Sequence, residues 1–97
     1  MLSSKQRGFL SGLAATINPT VMVGKDGVSD GVVQALIAEF SHRELIKVRF
    51  IASKDEKREL AAVLAQKSGS EIVRIIGNVA VFYRPAEKAE DRAIILP

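Results

Sequence analysis

The sequence predicts an α/β chain of the α+β two-layer type, with elements in the order α-β-α-β-α-β-β around a mixed four-stranded sheet. Three observations carry this. Short apolar runs alternate with stretches in which apolar residues recur at helical spacing. A β-α-β-α-β succession favours parallel strands joined by right-handed crossovers. A Gly-Asn pair between the last two apolar runs closes them into an antiparallel hairpin.

The first helix opens at Ser3, which with Gln6 fits a capping box, and Phe9, Leu10, Leu13, Ala14 and Ile17 mark its apolar face. Asn18-Pro19 ends it, because the residue before a proline is pushed out of the helical region. Gly8 and Gly12 lie on one side of this helix, either to admit a close neighbour or simply tolerated there. Thr20 to Val23 reads as a short buried strand, broken by Gly24-Lys25-Asp26-Gly27. Ser29 caps a second helix whose core face is Val32, Val33, Leu36, Ile37 and Phe40 and which ends near Ser41-His42.

Leu45 to Ile51 alternates clearly: Ile46, Val48 and Phe50 point one way, while Lys47 and Arg49 share the other face with Leu45 and Ile51. Ser53 and Glu56 form a second capping box, and the helix behind it packs through Leu60, Val63 and Leu64 and stops at Gly69. Glu71 to Ile76 and Val79 to Arg84 are the last strands, joined by Gly77-Asn78 as a type II′ turn. Beyond Pro85 the chain is charged (Glu87, Lys88, Glu90, Asp91, Arg92) and then apolar (Ile94-Ile95-Leu96), with no element assigned. Residues 1–85 therefore read as one domain and 86–97 as a charged C-terminal tail.

Ninety-seven residues make a single domain, and 47% apolar content supports a packed core. There is no cysteine, hence no disulfide and no thiolate metal site. The N-terminus lacks the apolar run of a secretory signal, and no stretch approaches the ~20 apolar residues that span a bilayer. A cytoplasmic protein with no membrane association is expected. The net charge of +3 and a pI near 9.5 favour polyanionic partners mildly.

Signals for catalysis are poor. The single histidine, His42, stands at the exit of the second helix, where it complements the helix dipole. Asp55, Glu56 and Glu59 interleave with Lys54, Lys57 and Arg58, the pattern of a solvated helix face. Nothing resembles a triad, a zinc site or a Walker loop, so no enzyme activity, cofactor, metal or small-molecule substrate is expected.

Two features point to phosphate. Gly24-Lys25-Asp26-Gly27 places two glycines three apart, leaving backbone that a phosphodiester can approach, just before the N-terminus of a helix. Lys25 adds a mobile charge there, whereas Asp26 repels phosphate. The same four residues also suit a plain strand-to-helix turn. The second feature is Lys47 and Arg49 on one strand face, with Arg74 and Arg84 as extensions on neighbouring strands. Few aromatic side chains are available to stack on bases, which favours backbone and shape recognition.

These residues also resemble a known family. Val23-Gly24-Lys25-Asp26-Gly27-Val28-Ser29, then Glu44-Leu45-Ile46-Lys47-Val48-Arg49, then Ile76-Gly77 and Val81-Phe82-Tyr83-Arg84-Pro85 look like the CRM domain (chloroplast RNA splicing and ribosome maturation). The chain length and Ser4-Lys5-Gln6-Arg7 resemble its stand-alone bacterial, YhbY-like form, and the likeness spans residues 3 to 85. The resemblance implies a fold similar to the C-terminal domain of translation initiation factor three, with the fourth strand antiparallel to the rest. It implies binding to ribosomal RNA in the precursor of the large subunit, and a monomer is expected. The family's glycine loop maps onto Gly24, Lys25, Asp26 and Gly27, and with Lys47, Arg49 and Arg84 these form the expected RNA-binding set. The third loop position is commonly uncharged in that pattern, so Asp26 is a departure. Two alternatives remain at this point: a module that docks on a ribosomal protein through the apolar tail and first helix, without RNA contact, and a phosphoryl-handling enzyme built on the glycine loop, which lacks a base and a metal site.

Overall fold

A computed structural model describes residues 1–52 and 54–97. The elements are α1 (Ser4–Ala14), β1 (Val21–Val23), α2 (Asp30–Phe40), β2 (Leu45–Phe50), a 3₁₀ turn (Lys54–Glu56), α3 (Lys57–Ser68), β3 (Glu71–Ile76), β4 (Val79–Tyr83) and a second 3₁₀ turn (Ala89–Asp91). The strands form one sheet in the order β1-β2-β4-β3. β1 and β2 pair in parallel, and β4 is antiparallel to both of its neighbours. The hairpin therefore does more than add an edge strand, because β4 inserts between β2 and β3 and keeps those two apart. The reason is in its side chains. Ala80, Val81, Phe82 and Tyr83 are all buried, so this strand needs cover on both faces, which only a central position gives. β3, with Arg74 and Ile76 exposed, tolerates the edge.

Each face of the sheet holds its own cluster. Ile46, Val48, Phe50, Ala80 and Phe82 meet Val33, Leu36 and Phe40 of α2 and Ala61, Leu64 and Ala65 of α3. On the other face Leu45, Val73, Val81 and Tyr83 meet Leu10 and Ala14 of α1, with Leu2 beside them. The two-layer arrangement expected from the sequence thus holds over one part of the sheet, while α1 adds a third layer over the other part. A bulge between Ile72 and Arg74 makes room for this: Val73 buries against the α1 side, and Arg74 still stands opposite Val81 on that same face.

Local signals worked where the chemistry is local. The capping box at Ser3 and Gln6 has both of its hydrogen bonds, Ser29 Oγ accepts from Val32 N, and Gly69 ends α3 with φ 68°. Gly77, with φ 57°, supplies the left-handed first position that a primed hairpin turn needs. The box expected at Ser53 and Glu56 falls partly on a residue outside those described; Glu56 itself stands as the N-cap of α3. The apolar faces are narrower than periodicity suggests. Phe9 and Leu13 are each 41% exposed and Val63 39%, because α1 and α3 each touch the sheet along one stripe only. On α3, Ala61 and Ala65 take the buried places instead. No neighbour approaches Gly8 or Gly12, so both are merely tolerated.

The tail folds back. Ile94 and Leu96 pack against the α1-side cluster, and Gln6 Nε2 donates to Pro97 O at 3.4 Å. Its clasp is Glu44, a buried carboxylate just before β2. One of its oxygens accepts from Ala86 N at 2.8 Å; the other accepts from Ala93 N at 2.8 Å and Ile94 N at 2.9 Å. Three N–H donors replace the water that a carboxylate loses on burial.

Candidate nucleic-acid interface

The glycine loop leaves the C-terminal end of β1, where Ile51 N donates to Val23 O and ties the loop to the end of β2. Gly27 N donates back to Gly24 O at 3.1 Å, closing a turn, and Ser29 N donates to Gly27 O at 3.0 Å. The two glycines differ in what the fold asks of them. Gly27 has φ 64°, so the turn itself requires glycine there. Gly24 has no such conformation, and a Cβ at that position would meet nothing within 4 Å. The fold does not explain Gly24. Lys25 and Asp26 between them are both exposed.

The N-terminus of α2 is less free than its position suggests. The Ser29 hydroxyl already accepts from Val32 N, and Asp30 stands in the first helical turn. This helix end supplies its own acceptor and its own negative charge, whereas the exposed Lys25 has no carboxylate within 4 Å among the described residues.

α1 covers the part of its face around Leu45, Val73, Val81 and Tyr83, and the part towards the glycine loop stays open. Cross-strand partners stand on one face, so register gives the layout of the open part. Lys47 and Arg74 lie on either side of Val81, and the next row reads Met22, Arg49, Val79, Ile76 across the sheet. Arg49 and Arg74 are exposed and Lys47 is half-buried. Among the described residues, none of these three cations lies within 4 Å of a carboxylate. Phe50 N donates to Asn78 O, so the hairpin turn stands at this end too, and Lys57 Nζ donates to Gly77 O.

Arg84 is not part of this surface. It follows the last residue of β4, beside Glu44, to whose carbonyl its N–H donates. Leu45 and Phe50 mark the two ends of β2, about 17 Å apart at strand rise. Arg84 Nη1 donates to Ser68 O at 3.3 Å, and its Nη2 lies 3.7 Å from Glu87. The structure brings Gly24, Lys25, Asp26, Gly27, Lys47 and Arg49 to one end, adds Arg74, and leaves Arg84 at the other. Burial first, and the Glu44 carboxylate second, hold the phenol of Tyr83 at that other end above its usual pKa.

Two hollows lie away from the loop. One of about 650 Å³ opens beside His42, Arg43, Arg84 and Lys88, and one of about 540 Å³ lies between Leu2, Tyr83 and Leu96. His42 is exposed, and among the described residues no group of three or more histidine, aspartate or glutamate side chains could hold a metal ion. No helix of the described chain is long and apolar enough to cross a membrane.

The sequence met three kinds of relative. Residues 2–84 match the family model of the CRS1 / YhbY (CRM) domain. An RNA-binding protein of Haemophilus influenzae is 38% identical over 92% of this chain and 91% of its own length. The Bacillus subtilis protein YqeI, named as a probable RNA-binding protein, is 37% identical over the whole of both chains. The solution structure of a Staphylococcus aureus protein, described as a candidate RNA-binding protein, superposes with a TM-score of 0.86 at 36% identity over the full length of both.

Proposed function

The chain belongs to the CRS1 / YhbY (CRM) domain family, and from that premise we propose that it binds structured RNA, without catalysing a reaction, through the glycine loop and the basic open face of the sheet. The observation that carries this reading is the grouping of three cations, Lys47, Arg49 and Arg74, at one end of one face, next to the loop that holds exposed Lys25 and a glycine the fold does not need. Unpaired cations on an open surface gain from displacing the counterions of a polyanion. A glycine with open space outside it leaves the backbone approachable by a phosphodiester. Four phosphate contacts correspond to a slope of log affinity against log salt of about −3 to −4.

The finer assignment follows from the resemblance. The RNA is ribosomal, within the precursor of the large subunit, and the protein acts as a cytoplasmic monomer during assembly. Docking on a ribosomal protein without RNA contact keeps only Ile95 of the tail with Phe9 and Leu13 of α1 as its exposed apolar surface, since Ile94 and Leu96 pack on the protein's own core.

Gly24→Ala and Lys25→Asp, each titrated against ribosomal RNA fragments and against denaturant, test the reading. Both variants should keep the wild-type denaturation midpoint, since position 24 has room for a methyl group and position 25 is exposed. Lys25→Asp should weaken RNA binding about tenfold or more, and Gly24→Ala should also weaken it by obstructing backbone approach. Full RNA affinity in both variants would leave the loop as a turn and nothing else.

A further inference from the structure

We propose, resting on the RNA-binding reading above, that the uncovered part of the sheet is a seat for unpaired bases, so that the protein takes RNA where a helix gives way to single strand. The carrying observation is one row of four cross-strand neighbours, Met22, Arg49, Val79 and Ile76. Met22 is 46% exposed and Ile76 52%, with Arg49 exposed and Val79 half-buried between them. Ile51, 57% exposed, stands one step further towards the glycine loop. Single exposed apolar residues are ordinary on any surface. Here they share a row with an unpaired arginine and a border with Lys47 and Arg74, which is a different situation.

The chemistry of the ligand follows from that mixture. A continuous RNA duplex shows phosphates, sugars and groove edges and hides the faces of its bases, so cations alone would suffice to hold it. Apolar side chains held in water gain only from a ligand with apolar faces of its own. An unpaired nucleotide has both, a charged backbone and an aromatic base. The Arg49 guanidinium can lie flat against a base, and the polarizable Met22 thioether suits an aromatic ring. The row spans three inter-strand spacings, about 14 Å, enough to lay more than one base side by side. No aspartate or glutamate shares these two rows; Asp26, Asp55 and Glu56 belong to connections beyond the strand ends. The negative backbone of the same strand is therefore unopposed within these two rows.

The experiment compares three RNAs: a fully paired hairpin, the same hairpin with an unpaired uridine extension, and the same hairpin with an abasic extension that keeps the phosphates. Wild-type protein should bind the uridine-extended RNA about five- to tenfold more tightly than the abasic one. Met22→Thr combined with Ile76→Thr keeps strand-favouring residues at exposed positions, so the denaturation midpoint should hold. That variant should bind the paired hairpin as the wild type does and lose the preference for bases to within twofold. Equal binding of the uridine and abasic extensions overturns the proposal, and so does a threonine variant that keeps the preference. Intact RNA binding with self-association abolished in the variant overturns it in favour of a protein-docking face. Salt-insensitive binding of all three RNAs, or none at all, would instead sink the RNA-binding reading itself.

Discussion

At one end of the sheet Arg84 donates to the Ser68 carbonyl and leans on Glu87, while the Glu44 carboxylate takes three backbone N–H donors from the returning tail. At the other end Lys25, Arg49, Lys47 and Arg74 have no carboxylate within 4 Å among the described residues, and apolar side chains stand open beside them. Both ends are rich in basic residues. The difference is that Arg84 and Glu44 find their partners within the fold, whereas the four cations at the other end have none among the described carboxylates. Basicity alone therefore does not distinguish the two ends. Where the partners of each charge lie decides it, and those partners come from distant parts of the chain.

The comparison breaks most visibly at Glu44. Glu44→Ala removes the common acceptor of Ala86, Ala93 and Ile94 and frees the tail, so stability in a denaturant titration should fall by about 2–4 kcal/mol. RNA affinity of the folded fraction should stay within about twofold, because the clasp lies a strand's length from the loop. A large loss of affinity at unchanged stability would mean that the two ends are not separate.

A smaller effect is expected at the open end. Lys47→Gln and Arg49→Gln should each weaken binding about three- to fivefold across RNA sequences and lower the salt slope by about one, with little change in stability. A reordering of sequence preference in either variant would make that residue a reader of bases. The smallest effect sharpens the contrast. Arg84→Gln should leave RNA affinity within about twofold and cost no more than about 1 kcal/mol, as exposed ion pairs commonly do. A loss equal to that of Arg49→Gln would extend the interface around the molecule.

Much of the fold was legible because its determinants are local. Ser3 with Gln6, Ser29, Gly69 and Gly77 act on backbone within a turn of themselves, and each does so in the structure. The alternation in β2 correctly placed Lys47 and Arg49 opposite Ile46, Val48 and Phe50, since a strand's period is set by its own geometry. The glycine loop could be found from spacing, yet spacing gives both glycines the same meaning. Only φ and the surrounding space separate Gly27, which the turn needs, from Gly24, which it does not. Arg84 was grouped with the other cations as an extension at the end of the fourth strand, but which end of the neighbouring strand that meets follows from antiparallel register, which sets Arg84 beside Glu44. Met22 and Ile76 gave no signal as a pair, because they are 54 positions apart in the chain (76 − 22) and meet only through register.

By itself the sequence determined which segments become the helices and strands of the domain and which motifs they carry, since hydrogen bonds between near neighbours and periodic burial are written residue by residue. It carried the first helix on to Asn18-Pro19, where the structure ends it at Ala14, and began the third before Lys57. Tertiary structure decided that β4 sits in the middle, that α1 covers only part of its face, and that the tail is clasped by Glu44. Those outcomes depend on which surfaces must be covered once all elements compete for the same core, and that competition has no local signature.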